Sequence, residues 1–165
     1  MHKYDTEYLD IVKDVLKDPE FLKLKSFEHH GISRYKHSLD VSYQAYKLAK
    51  KRNMDYKAVA IGGLLHDFFE SPLNQTAKEK FMSTFKHSEL ALKNASNRYD
   101  INDKASDIII SHMFPLCNNV PTCKESWLVM LVDKKAAFQE FGKKFGYQLS
   151  YATNLMALIF LNYIK

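Results

Sequence analysis

From Ala58 to Leu65 the chain reads Ala-Val-Ala-Ile-Gly-Gly-Leu-Leu, and His66-Asp67 follows directly. A helix that is apolar on nearly every side must be surrounded by other elements, so this segment predicts the central helix of its fold. An imidazole and a carboxylate at the end of such a helix stand where burying an acid is costly unless something cationic holds it. The ordinary alternative stays open on this pair alone: a histidine favoured by the helix dipole and an aspartate exposed in the next loop.

Helical spacing dominates the rest of the chain. Tyr8, Ile11, Val12, Val15 and Leu16 recur at three- and four-residue steps until Asp18-Pro19 ends the run. Phe21, Leu22 and Leu24 form a short apolar piece, and Glu28-His29-His30-Gly31 reads as a loop. Ser33 predicts the N-cap of a long helix reaching Arg52, closed by Asn53, and Asp55 caps the central helix. Ser71 to Thr76 is the clearest loop, placed to border a site. Further helices are predicted at about 87–99, 103–113, 124–141 and 147–164. The expectation is an all-α bundle of six to eight helices, one domain over 1–165, with a core at about 27–140 and a C-terminal helix at about 147–164.

Composition narrows the function. With 46% hydrophobic and 13% aromatic residues against a net charge of +5, the chain is not disordered. Of its 24 cations, 21 are Lys and three are Arg, which disfavours a dedicated nucleic-acid binder and leaves room for an anionic small molecule. No apolar stretch approaches the roughly 20 residues of a membrane span. Cys117 and Cys123 are spaced too widely for a zinc clip and read as free thiols, and the opening Met-His-Lys-Tyr-Asp is not an apolar leader, so a reduced cytoplasmic protein is expected. The final apolar helix can close the core or form a dimer seam, so monomer and homodimer both stay open.

Chemistry-bearing residues are distributed in a telling way. His37, His66, Asp67, His87, His112 and Asp133 fall on different predicted helices or their ends, with gaps of about 20–30 residues, as a bundle needs if each helix projects one ligand into a common centre. A His/Asp set suits Mn, Fe, Co, Ni or Zn and lacks the thiolates of closed structural zinc sites. Arg34, three residues before His37 on the same helix face, is a candidate phosphate fork. His30 and Lys134 can face a phosphate or solvent, and Asp40 is either a partner for the His37 ring or a solvated acid.

Arg34-x-x-His37-Ser38, Leu64-Leu65-His66-Asp67, the pair His87 and His112, and Leu131-Val132-Asp133-Lys134 together resemble the HD domain, a superfamily of all-helical metal-dependent phosphohydrolases. His87-Ser88-Glu89-Leu90 and His112-Met113-Phe114-Pro115-Leu116 are similar to segments of compact bacterial members. The resemblance implies that His37, His66, Asp67 and Asp133 coordinate one divalent metal. It further implies that His87 and His112 add a second, bridged by Asp67, as in the dinuclear branch. It implies two divalent ions (Fe, Mn, Co, Ni, Zn or Mg) and a metal-activated water that cleaves a phosphate ester or anhydride of a small phosphorylated metabolite, a nucleotide being favoured. Glu70, three residues after Asp67, matches an acid of the nucleotidase branch that assists proton transfer, while the Ile-Gly-Lys that follows the doublet in many cyclic-nucleotide members is absent. The rival readings are a symmetrical dinucleoside polyphosphate hydrolase, a mononuclear 5'-nucleotidase and, in another class, a non-catalytic nucleotide-binding or interaction module.

Overall fold

The computed structural model describes the backbone of residues 4–29, 32–70 and 77–163, and the side chains of these except 28–29, 77–85, 143–145 and 147–163. Local chemistry starts each early helix. Asp5 accepts the Tyr8 N–H at 2.7 Å and begins α1 (Thr6–Lys17). Asp18 with Pro19 stops it, and the same Asp18 caps α2 (Pro19–Leu22) by accepting the Glu20 N–H. A 3₁₀ turn (Lys23–Ser26) leads into two short antiparallel strands, β1 (Glu28–His29) and β2 (Ile32–Ser33). Ser33 accepts the Lys36 N–H to open α3 (Arg34–Lys51), and Asn53, at φ 51°, takes the left-handed turn after it. Asp55 accepts the Ala58 N–H to start α4 (Tyr56–Leu65).

The remaining elements are α5 (Ala77–Arg98), α6 (Asp103–Ser111), capped by Asn102, and α7 (Lys124–Tyr163). The fold is all-α, with seven α-helices among the described residues, within the six to eight expected. Two boundaries differ from the sequence reading. Helix α5 begins ten residues earlier than the expected 87, and the helices expected at 124–141 and 147–164 are one continuous α7. Gly142 and Gly146 lie in the stretch between the two expected helices, and a Cβ built at either would meet nothing within 4 Å among the described residues. Their propensity cost of about 1 kcal/mol each does not outweigh continuing the helix. The loop 71–76 lies outside the described residues, as do the side chains of 155–164 on which core closure or a dimer seam depends.

Helix α4 sits at the centre, packed on α3, α6 and α7, and Ala58, Val59, Ala60, Leu64 and Leu65 are all buried. Its two glycines allow close approach. A Cβ at Gly62 would lie 2.9 Å from the Ile108 side chain of α6, and one at Gly63 would lie 3.1 Å from the Ser42 backbone of α3. Polar pins complete the packing: the Tyr8 hydroxyl donates to Ser42 Oγ at 2.8 Å, and Ser42 donates to the Ala60 carbonyl at 2.7 Å. Among the described residues, no helix is long and apolar enough to cross a membrane.

Candidate metal centre

Helices α4 and α6 end alike. His66 and His112 are the C-cap residues, and each turns its Nδ1–H back onto the carbonyl three residues earlier, Gly63 at 2.8 Å and Ile109 at 2.7 Å. Those carbonyls lie in the last turn, where the helix itself supplies no donor. With Nδ1 occupied as a donor, each ring presents the lone pair of Nε2 to the interior. The rings stand edge to face with centroids 4.9 Å apart. One helical turn before them the two helices approach closely, at Gly62 and Ile108.

Four further side chains converge on these two. His37, on the first turn of α3, and Asp133, on α7, meet at 2.9 Å between Nε2 and Oδ1, with Asp133 Oδ1 3.5 Å from His66 Nε2. Asp67 divides its oxygens. Oδ2 lies 3.9 Å from His66 Nε2, while Oδ1 lies 3.5 Å from His87 Nε2 and 3.7 Å from His112 Nε2. His87 and His112 bring their Nε2 atoms within 3.0 Å of each other. His37, His66 and Asp133 form one buried group with the spacing a metal ion needs, and His66, Asp67 and His112 form a second.

The donor chemistry fits a divalent cation. His66 Nε2 is buried without a hydrogen-bond partner among the described residues. Burial would push the His37 imidazole down, but the carboxylates of Asp133 and Glu140 overcome it and hold its pKa up at about 10. Burial likewise opposes ionisation of Asp133, yet His37 and His66 keep its carboxyl well below the usual range. Burial would push His66 down, but Asp67 and Asp133 together overcome it and raise its pKa. His112, buried and facing the other imidazoles, is pushed down to about 3 and so keeps its lone pair. The acids therefore draw positive charge into the cluster while its nitrogens point inward.

Glu140 has no place in the sequence reading. Its carboxylate accepts from His37 Nδ1 at 3.0 and 3.1 Å. The signal was its spacing from Asp133, seven residues or two helical turns along one face. Asp40, considered for that task, pairs with Lys36 at 2.5 Å and with the Tyr4 hydroxyl at 3.4 Å.

Arg34 is buried beside the centre. Nη1 donates to the Phe69 carbonyl at 2.6 Å, Nε is 3.9 Å from Asp67 Oδ2, and the guanidinium lies over the Phe69 ring. Phe69 also stacks on His87, and Asn94 of α5 donates to the Phe68 carbonyl, so the segment after Asp67 is held from two helices. Lys134 donates to the His112 carbonyl at 3.1 Å, joining α7 to the end of α6. Glu70 stands apart from the cluster, exposed and 3.6 Å from Lys23, on the wall of a groove of about 450 Å³ shared with Phe69, Leu90, Asn94 and Asn97. His30 lies outside the described residues. Phe68 packs in the core, and Phe114 meets Trp127 edge to face.

The family model of the HD domain matches residues 34–137, more than half of the chain, and spans Arg34 and all six clustered His and Asp residues. No curated protein matches the chain, and no solved structure does.

Proposed function

The chain belongs to the HD domain family, a superfamily of metal-dependent phosphohydrolases, and from that premise we propose that its buried cluster holds two divalent metal ions and hydrolyses a phosphate ester of a small metabolite, a nucleotide being favoured. The observation that carries the two-ion reading is the split of Asp67, with one oxygen toward His66 and the other toward His87 and His112. His37, His66 and Asp133 would hold the first ion, His112 and the adjoining His87 the second, and Asp67, with an oxygen toward each side, would serve both. Ions bound there supply Lewis acidity to a phosphoryl oxygen and lower the pKa of the attacking water.

The chain's own residues do the rest. Arg34, with five donors on its guanidinium and Asp67 alongside, orients the phosphoryl group through its non-bridging oxygens. Phe69 fixes Arg34 from its carbonyl and its ring face. Glu70, on the groove wall, takes the proton-transfer role at the leaving group. The groove has the volume of a small-ligand site and offers apolar and amide surface for the organic part.

The test is metal analysis of protein purified without oxygen, then phosphate release from nucleoside monophosphates, p-nitrophenyl phosphate and dinucleoside polyphosphates with Mn, Fe, Co, Ni and Mg. About two equivalents of metal are expected, falling to about one in His112→Ala, with release from monophosphates. Protein without metal and without hydrolysis in every condition would overturn the reading. Unchanged stoichiometry in His112→Ala would overturn its two-ion form.

A further inference from the structure

His37 differs from the other capped imidazoles. His66 and His112 each find an acceptor for Nδ1–H in a carbonyl at the C-terminal end of their own helix. His37 lies near the N-terminal end of α3, where preceding carbonyls are taken by the helix ladder, so its acceptor must come from elsewhere. It comes from α7. Asp133 meets Nε2 at 2.9 Å and Glu140 meets Nδ1 at 3.0 Å, so one helix grips both nitrogens of a fully buried ring from positions two turns apart. The family model ends at residue 137, and Glu140 lies beyond it.

We infer that Glu140 is the positioning residue of His37: by accepting Nδ1–H it fixes the ring with Nε2 toward Asp133, and it makes the continuation of α7 beyond the residues matched by the family model part of the metal centre. The inference rests on reading the cluster as that centre. A carboxylate behind a metal-binding imidazole sets the tautomer and makes the ring a stronger donor. Glu140 thus acts through His37 and touches no reacting atom.

Titration of Co²⁺ into metal-free protein tests it. Glu140→Ala should weaken binding of the first ion by about 10–100-fold, and Glu140→Gln, whose amide oxygen still accepts, should recover most of the loss. Near-ultraviolet circular dichroism confirms that each variant is folded, and NMR supplies a separate reading. The His37 Nδ1–H proton should be slow to exchange in wild type and Glu140→Gln and fast in Glu140→Ala. Unchanged affinity in Glu140→Ala, or a Gln variant as weak as the Ala variant, overturns the inference. If wild type itself binds no Co²⁺, the proposed function has failed, and the NMR comparison alone decides the role: a proton equally protected in all three proteins overturns it.

Discussion

Helix α4 has polar groups at both ends, and the two ends treat them differently. At the amino end Glu125 is only 1% exposed, yet its carboxylate accepts the Asp55 N–H at 3.0 Å with Lys104 3.7 Å away. Burial would raise it, but these backbone donors keep its carboxyl low. Nearby, Asp107 accepts from the Thr122 N–H at 2.9 Å and the Ser126 hydroxyl at 2.6 Å. Each acid there closes a helix start or a turn. At the carboxyl end Asp67, Asp133 and Glu140 share a space with four imidazoles, and His66 Nε2 is buried without a hydrogen-bond partner among the described residues. Buried acids with donors matched to them stabilise a fold, whereas the Asp67 carboxylate beside the inward lone pair of His112 needs a further charge.

The sharpest way to break this contrast is to neutralise one acid at each end. Asp67→Asn should lose metal and lower hydrolysis by roughly 1,000-fold, the scale of several kcal/mol of transition-state stabilisation. The melting temperature of the metal-free variant should change little, because the lost attraction of the carboxylate for Arg34 and His66 is offset by no longer burying its charge. A variant that melts well below metal-free wild type would make the two ends alike. Glu125→Ala should do the opposite, lowering stability by about 1–3 kcal/mol in denaturant titrations because the Asp55 N–H loses its acceptor, with metal content per folded molecule unchanged. Loss of metal in that variant would erase the distinction.

The smallest effect extends the satisfied class to Asp18. Bonding to the Arg98 side chain holds its carboxyl at about 2, and the Tyr99 hydroxyl donates to it at 2.7 Å. Since the folded value lies below the ordinary one of about 3.9, its contribution is complete above roughly pH 4 and is lost as pH falls through the folded value. The difference in melting temperature between wild type and Asp18→Asn should therefore be constant near neutrality and shrink in acid. A difference independent of pH would mean that the charge is not what matters.

Residues that act within one turn of themselves were the legible ones. Ser33, Asp55 and Asp18-Pro19 set helix ends from the sequence alone, because a cap and its N–H are neighbours in the chain. The six clustered His and Asp residues were also readable, since their order matched a family pattern and the structure brings them together. Glu140 was not, because a glutamate beside Gln139 on a helix carries no local sign of burial; it matters only once Asp133 is known to face His37. The continuity of α7 was missed because the patterns at 124–141 and 147–164 read as separate helices, whereas the stretch between them, with Gly142 and Gly146, carries the helix on.

Gly62 has a consequence for how sequences of this kind can drift. Ile108 fills the space its side chain would take, and the helices they join carry His66 and His112 one turn later. Added bulk at 62 can be accommodated only by bulk given up at 108, or the two rings move apart. The spacing of the centre thus depends on an absent methyl group one turn before the ligands, and a side chain added at 62 is expected to need a smaller one at 108.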